Sequence, residues 1–264
     1  MNITSFINFM PSWMLFILII IVGMLIAEAG AYIAGKRLQK GEKEPDTPVN
    51  SALGAMLALL GFMLGFTFSI TANRFAERRE LVIRQANAIG TCYLRTSMIP
   101  ERQKSEVRKL FREYVDNLLQ IQKTENVNVP KSISRMNDIH LLIWNQTASL
   151  AKEDMDSELR SLFTSSVNEV IDIASERETI ALLVRIPSIL WISLIALFIM
   201  SMFLVGYQIA SFDIRRIYSL PLLIGAVAMV LVLIAEMDSS EKKGFRISQK
   251  PLENVREMLQ TNIP

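Results

Sequence analysis

Hydrophobic and polar residues divide the chain into four apolar segments and a long polar middle. Each apolar segment has the length that a helix needs to cross a bilayer, roughly 20 residues. Short polar connections join the first segment to the second and the third to the fourth. The pattern therefore predicts two transmembrane hairpins, with spans over residues 13–34, 51–72, 186–212 and 217–235.

The polar middle, residues 73–185, has the periodicity of amphipathic helices. Apolar residues recur there at three- and four-residue steps, which places them on one face of a helix. Examples are Val107, Leu110, Phe111, Tyr114 and Leu118. Pro100 and the polar stretch before residue 132 mark breaks between helices. We expect four long helices, the third over about residues 132–152, and no strand, because no segment alternates polar and apolar residues.

Span two passes into the polar middle without a helix-breaking residue, and an equally unbroken stretch leads to Pro187 at span three. The predicted fold is thus an all-α membrane protein whose bundle helices are continuous with spans two and three. The predicted domains are a first transmembrane hairpin at 1–72, a soluble helical bundle at 73–185, a second hairpin at 186–235 and a polar C-terminal tail at 236–264. A short helix is expected near residues 252–260, packed back on the bundle.

The composition excludes several kinds of protein. The single cysteine, Cys92, rules out an internal disulfide, and the single histidine, His140, leaves almost no zinc site or hydrolytic triad. A net charge of +2 without a long basic run gives no reason to expect nucleic acid as a partner. No phosphate-binding glycine motif is present. We therefore expect no enzyme, cofactor or metal site.

Span two carries the main candidate site. Small residues follow one stripe of its helix: Ser51, Gly54, Ala58, Gly61 and Gly65. Such a face lets helix backbones pack closely, which is the structural interpretation. It also leaves room for a lumen, and on this functional interpretation the stripe lines a pore. Phe62 and Phe66 would then be apolar constrictions, which gate a pore by excluding water.

Charged residues near the bilayer supply further candidates. Arg74, Arg78 and Arg79 follow span two closely, and in an oligomer they would form rings of positive charge that concentrate anions at a pore mouth. Alternatively, they bind anionic lipid head groups. Glu28 lies inside span one, where a charge is costly, so it is either a functional acid or an acid paired near the head groups, for example with Lys36. Lys and Arg residues near the span ends favour a cytoplasmic bundle and cytoplasmic termini.

The segment after span two resembles the bacterial bestrophin-like family. That family shows a glycine-rich span, an arginine-rich helix, an Ala-Asn-Ala-Ile stretch, a Tyr-x-Arg and a break at Leu-Pro or Ile-Pro. The last three are here "ANAIG" from Ala86, Tyr93 with Arg95, and Ile99–Pro100. The tail "GFRISQKPL" is similar to the family's ending. By layout, the likeness covers nearly the whole chain.

The resemblance implies a homo-oligomeric ion channel in a bacterial inner membrane, because bestrophins are pentameric anion channels whose second membrane helix lines the pore. It implies the bilayer, further copies of the chain and inorganic ions as partners, and it places Gly61, Phe62 and Phe66 toward the pore. Calcium gating is not implied, since no calcium-binding cluster is visible. Two alternatives stay open: a membrane-anchored signalling or interaction module without conduction, and a proton-coupled transporter that uses Glu28.

Overall fold

The computed structural model describes residues 10–40, 46–123, 128–182, 185–211, 219–239 and 247–261. Within these ranges the chain forms eight α-helices, two short 3₁₀ turns and no strand. The helices are α1 (Ser12–Gln39), α2 (Asp46–Arg95), α3 (Glu101–Lys123), α4 (Val129–Ser149), α5 (Ser157–Leu182), α6 (Ser188–Ser211), α7 (Ser219–Asp238) and α8 (Lys250–Gln260). Four of them, α1, α2, α6 and α7, are long and apolar enough to cross a membrane. The predicted all-α membrane fold is thereby confirmed.

Span two and the first bundle helix form one continuous helix, as the sequence predicts. The helix α2 runs without interruption from Asp46 to Arg95, over 50 residues. At the helical rise of about 1.5 Å per residue this length is about 75 Å, more than twice the roughly 30 Å of a bilayer's hydrocarbon core. The second half of α2 must therefore leave the membrane as a helix.

The continuity predicted at span three is wrong. The helix α5 ends at Leu182 and α6 begins only at Ser188. Pro187 explains the break, because proline has no N–H to donate and disfavours helical backbone at the residue before it. The backbone N–H of that residue, Ile186, donates instead to the Asp238 carboxylate at 3.0 Å.

The first compact unit contains residues 1–75 and 185–246. In it α1 packs along α6 and also contacts α7. The core is built from apolar side chains of all four spans, among them Leu60, Leu194 and Ile224. These side chains hold the spans together by close van der Waals packing. The hydrophobic effect does not drive the spans together inside a bilayer, because lipid tails are as apolar as the side chains.

Glycines bring α1 and α6 into contact at the backbone. A Cβ placed on Gly206 would lie 1.8 Å from the carbonyl oxygen of Ala27, and one on Gly30 would lie 2.2 Å from that of Phe203. Both distances are far inside van der Waals contact, so only glycine fits at these positions. The sequence analysis missed this contact, although Gly23, Ala27 and Gly30 recur at helical spacing.

The second compact unit contains residues 76–184 and 247–264. In it α3 packs against α4 and α8, and α4 packs against α5. The apolar face predicted for α3 is the buried face, with Phe111 and Tyr114 almost completely enclosed beside Phe163 and Ile89. Full burial of one such large side chain contributes about 1.5–3 kcal/mol. The predicted helical bundle therefore has a core of its own.

Side chains cap the starts of two bundle helices. At α4 the Asn128 side-chain oxygen accepts from the N–H of Lys131 at 3.2 Å. At α5 the Asp156 carboxylate accepts from the N–H groups of Glu158 and Leu159 at 2.8 and 3.1 Å. A cap of this kind typically contributes about 1 kcal/mol, because it satisfies an N–H group that the helix itself leaves without a partner.

Several predicted connections lie outside the described residues. These are most of the two hairpin connections, at 41–45 and 212–218, the centre of the loop before α4 at 124–127, and the stretch of tail at 240–246. The described part of the tail forms α8, which packs on the bundle as the sequence suggested.

Candidate functional site

One face of α2 in its membrane half consists of small residues and is exposed. Gly54, Ala58, Gly61 and Gly65, the residues predicted to line a pore, all lie on this face. A Cβ added to any of the three glycines would meet no described atom within 4 Å beyond its own stretch of helix. Packing against the part of the chain that the structure describes therefore does not account for their small size. We call this surface the small face of α2.

The opposite face of α2 packs into the core of the membrane unit. Leu53, Leu60 and Leu64 are buried there, and Thr67 and Thr71 continue the buried line. The Thr71 hydroxyl donates to the carbonyl oxygen of Thr67 at 2.7 Å, so its polar group is satisfied inside the helix. Hence α2 has one packed face of larger residues and one exposed face of small ones.

The other spans expose large apolar side chains instead. Examples are Trp13 and Leu25 on α1, Ile189 on α6 and Leu222 on α7. Large apolar side chains suit contact with lipid tails, whereas small residues are typical of surfaces that another helix approaches. The small face of α2 is therefore unlike the surfaces of the same chain that suit lipid.

Two aromatic side chains stand at the edge of the small face. Phe62 is 67% exposed and Phe66 is 49% exposed. Their rings are nearly parallel, with centroids 6.3 Å apart and an angle of 10° between the planes. They are one helical turn apart and project from the same side of α2. This pair is large enough to narrow any space that the small face borders.

The structure separates the three arginines that the sequence grouped together. Arg78 is only 8% exposed, one Nη atom of Arg74 is buried, and Arg79 is exposed. Arg74 and Arg78 are one turn apart, on the side of α2 opposite the small face, while Arg79 is turned by about 100° from Arg78. The three side chains therefore do not share a face.

Acidic and amide side chains lie on the exposed face of α2 beyond the membrane half. Asn73, Glu77 and Glu80 are all exposed there. The sequence analysis did not single out Glu80. Its direction could have been predicted from its spacing. Glu80 follows Phe62 by 18 residues, which is five full turns of an α-helix, so the two residues lie on the same side of α2.

Glu28 lies on the exposed side of α1. It is on the same face as Leu25 and Tyr32, which are 65% and 71% exposed. The neighbouring Ala27 and Gly30 are buried. Within one chain, Glu28 is therefore not enclosed as an acid on a proton pathway through the span would be.

A polar network crosses the interior of the bundle. The Gln85 amide donates to the Tyr114 hydroxyl at 2.8 Å. Arg177 donates to the side-chain oxygen of Gln85 and, at 3.2 Å, to that of Gln249, which directly precedes α8. The Tyr114 ring contacts the ring of His140, with centroids 4.8 Å apart. Burial raises the pKa of Tyr114 and lowers the pKa values of Arg177 and His140. These contacts join α2, α3, α4, α5 and the start of α8.

The C-terminal helix α8 is fastened to the bundle near its end. The Leu259 carbonyl oxygen accepts from the Arg112 guanidinium at 2.9 Å and from the Tyr93 hydroxyl at 3.3 Å. Carbonyls in the last turn of a helix have no partner inside the helix, and a cation there is favourable. A Cβ at Gly90 would lie 3.6 Å from the terminal methyl of Met258, an ordinary van der Waals distance, so α8 packs over this part of α2 without requiring glycine there.

Chemically reactive side chains do not converge in the part of the chain that the structure describes. There, no three His, Cys, Asp or Glu side chains are placed to hold a metal ion. Cys92 is buried, and burial raises the pKa of its thiol to about 12. The thiol is therefore not the reactive thiolate that a nucleophilic cysteine requires. The exposed faces of α2 remain the candidate site.

The fold defines the class of protein: an all-α membrane protein with four apolar spans and a helical bundle between the second and the third. The bestrophin-like domain matches residues 15–252 of the sequence. The chain belongs to the bestrophin-like family. A comparison with curated proteins finds no match.

Solved structures share the fold. A crystal structure of a bacterial bestrophin homologue from Klebsiella pneumoniae is 16% identical, with a TM-score of 0.66 over 92% of this chain and 96% of that one. A point variant of that homologue is 16% identical, with a TM-score of 0.68 over 92% and 97% of the two chains. A further crystal structure, described as a membrane protein, is 15% identical, with a TM-score of 0.68 over 92% and 97%. At this identity the likeness concerns the fold.

Proposed function

We propose that the protein is a homo-oligomeric ion channel whose pore is lined by the small face of α2. The observation that carries the proposal is the small face itself, which is exposed and has glycines that no contact with the described residues requires. A surface of this kind needs either a close neighbour or a lumen. Membership of the bestrophin-like family supports the lumen.

An oligomer is part of the proposal because one helix cannot enclose a path for ions. Several copies around a symmetry axis would each supply one α2 to the wall, and cyclic symmetry is the usual way for identical chains to close a ring. Five copies is the number that the resemblance to bestrophins implies. The small face would then border the axis of the ring, and the faces of α1, α6 and α7 that suit lipid would lie on the outside of the ring.

Phe62 and Phe66 form the constriction in this proposal. Both are exposed at the edge of the small face, one turn apart, so symmetric copies would contribute two successive apolar rings. Narrow apolar rings block ions by excluding water. Removing one ring should therefore raise conductance, and it should not disturb the fold of a single chain, because the ring side chains are exposed.

We place the channel in a bacterial inner membrane with the bundle on the cytoplasmic side. Helical spans support the inner membrane, since outer-membrane proteins cross the bilayer as β-barrels. The Lys and Arg residues at the bundle ends of the spans support the orientation. Anion conduction, expected from Arg74, Arg78 and Arg79, is supported only by Arg79, since Arg78 is buried and Arg74 lies on the side of α2 away from the small face.

The proposal can be tested with purified protein in planar bilayers and by light scattering of the detergent-solubilised particle. We expect a particle of several chains and a measurable ion current that increases in Phe62→Ala. Leu222→Ala is the matched control, because Leu222 is 73% exposed on α7, on a face that suits lipid. A monomeric particle, or a current that responds equally to both substitutions, would overturn the proposal.

A dimer that is joined through the small face and carries no ion current would indicate a different function. The glycines would then serve packing between chains, and a membrane-anchored interaction module would describe the protein better. Gly61→Leu separates the two cases. In a channel it should reduce the current while the particle mass stays constant, whereas at a packed interface it should dissociate the particle.

A further inference from the structure

Two groups of apolar side chains are exposed near one end of the bundle. The first, which we call the α4 patch, consists of Leu141, Trp144 and Ala148. The second, which we call the tip patch, comes from the end of α2, the turn after it and the start of α5, and consists of Leu94, Met98, Leu159 and Leu162. Contiguous apolar groups on a surface exposed to water typically mark a site that another molecule covers.

The α4 patch lies on a flank of α4 that carries no charge. At 100° per residue, Leu141, Trp144 and Ala148 fall within about 60° of one another, and the exposed Asn137 lies between them. The charged residues of α4 are all turned to the other side of Leu141, and they are Lys131, Arg135 and Asp138. Thus α4 has an uncharged exposed flank in addition to the face that packs in the core.

Both patches lie at the same end of the bundle. At the end of α2, Arg95 donates to the carbonyl oxygen of Leu162 at 3.2 Å. Near the start of α3, which follows α2 after a short turn, Gln103 donates to Ser149 at the end of α4 at 3.3 Å. Leu141 precedes Ser149 by eight residues, about 12 Å along the helix. The patches are therefore at similar distances from this end.

The bilayer is out of reach of the two patches. Leu94 follows Phe66 by 28 residues, about 42 Å along the unbroken α2. This distance exceeds the roughly 30 Å of the hydrocarbon core. A protein surface is therefore the partner that suits the patches.

We infer that the α4 patch of one copy of the chain docks on the tip patch of the next copy. The inference rests on the proposed function, since a ring of unbroken α2 helices places the bundles side by side. A closed ring joins its subunits head to tail and so needs two different surfaces on each chain. Rotation about the ring axis keeps every residue at its own height, so two patches at the same end of the bundle can meet.

Opposite charges border the two patches. The exposed Asp138 lies one turn before Leu141, and Arg95 directly follows Leu94. In the proposed contact, the carboxylate of one copy lies near the guanidinium of the next, and such complementarity fixes the register of an interface. Pairing of two α4 patches would instead bring two copies of Asp138 together, and like charges disfavour that arrangement.

The test is cross-linking of the purified full chain with a short bismaleimide. Leu141→Cys combined with Leu162→Cys should give a ladder of covalent oligomers on a denaturing gel. Each single variant should run as one chain, because a head-to-tail contact does not bring two copies of one residue together. The native Cys92 is buried and does not react. Leu141→Cys with Asn168→Cys is the matched control, because Asn168 is exposed on α5 but turned by about 120° from Leu162.

A second variant tests the contact without a cross-linker. Leu141→Glu would bury a charge without a partner, and it should raise the concentration at which the particle dissociates in detergent about tenfold or more, as measured by light scattering. Val129→Glu is the matched control, because Val129 is an exposed apolar residue of the same helix, about 18 Å before Leu141. Equal dissociation of the two variants would overturn the inference.

The outcomes of cross-linking separate this inference from the proposed function. A current carried by particles of several chains that give no ladder overturns the inference and leaves the channel standing. A ladder from Leu141→Cys alone means that α4 patches pair with each other, and it overturns the inference as well. A ladder specific to the Leu141 and Leu162 pair, without any current, supports the contact between bundles and removes the channel. Single-chain particles without current remove both.

Discussion

Replacing Gly206 with alanine tests the packing of the membrane unit at its tightest point. The new Cβ would lie 1.8 Å from the Ala27 carbonyl oxygen, and real Cβ atoms essentially never come within 3.0 Å of such a neighbour. The obstacle is backbone and cannot rotate away. The helices α1 and α6 must therefore separate by about 1 Å or more along their contact, which also loosens the fit at Gly30.

The cost follows from the geometry. Overpacking of this kind costs about 1–3 kcal/mol, and a clash with backbone belongs at the upper end. Alanine regains about 1 kcal/mol over glycine inside a helix. We therefore expect a net loss of about 2 kcal/mol for Gly206→Ala. By the scaling for domains of 150–250 residues, this loss lowers the melting temperature by about 4–8 °C.

Gly61→Ala is the matched control, because a Cβ at Gly61 meets nothing within 4 Å among the described residues. It should leave the melting temperature of the chain unchanged or slightly raised. The assay is thermal unfolding in detergent followed by tryptophan fluorescence, to which the buried Trp191 of the same unit contributes. If Gly206→Ala melts at the native temperature, the backbone contact between α1 and α6 is not as described and the argument fails.

Three further predictions concern the bundle. Arg112→Ala removes a charged donor from the Leu259 carbonyl and should weaken the docking of α8 by about 1.5–3 kcal/mol. Faster hydrogen exchange in α8 would show this weakening. Equal exchange in Arg112→Ala and in the exposed control Arg102→Ala would refute it. The pKa of His140 is lowered by burial from its ordinary 6.5, so the unfolded chain binds the proton first and stability is lost as pH falls from about 6.5 toward the folded pKa. Urea unfolding at pH 7.5 and 5.5 should show a smaller loss of stability between the two pH values in His140→Phe than in the native protein. An identical loss would contradict His140 as the cause. Cys92, buried with a pKa of about 12, should react with iodoacetamide at neutral pH only after unfolding, and rapid labelling of the folded protein, followed by mass spectrometry, would show that it is accessible.

The sequence predicts the four spans and the bundle because their signals are local. Blocks of apolar residues of membrane length, and repeats at three- and four-residue steps, need no knowledge of the neighbours of a helix. The unbroken α2 follows from the same reasoning, since nothing after Gly65 interrupts helical backbone near the boundary. The break before α6 could have been predicted from Pro187, because proline disfavours helical backbone at the residue before it.

Which side chains form the candidate site depends on which face of each helix is buried against its neighbours. The local sequence does not contain that information. The small residues of α2 looked like packing residues, but the glycines with close backbone contacts are Gly206 and Gly30, whereas a Cβ on a glycine of the small face would meet no atom of another described helix within 4 Å. The arginines after span two looked like one group until the burial of Arg78 separated it from Arg79. Periodicity shows which residues share a face, and only tertiary contacts show which face is free.

The most direct test of the central claim is chemical modification of the small face during conduction. Ala58→Cys places a thiol on that face, while Leu222→Cys places one on a face that suits lipid, and the native Cys92 is buried. If the small face lines the pore, a charged methanethiosulfonate reagent should block the bilayer current of Ala58→Cys and leave that of Leu222→Cys unchanged. A current that persists in Ala58→Cys after mass spectrometry confirms modification would show that ions pass elsewhere, and it would contradict the account.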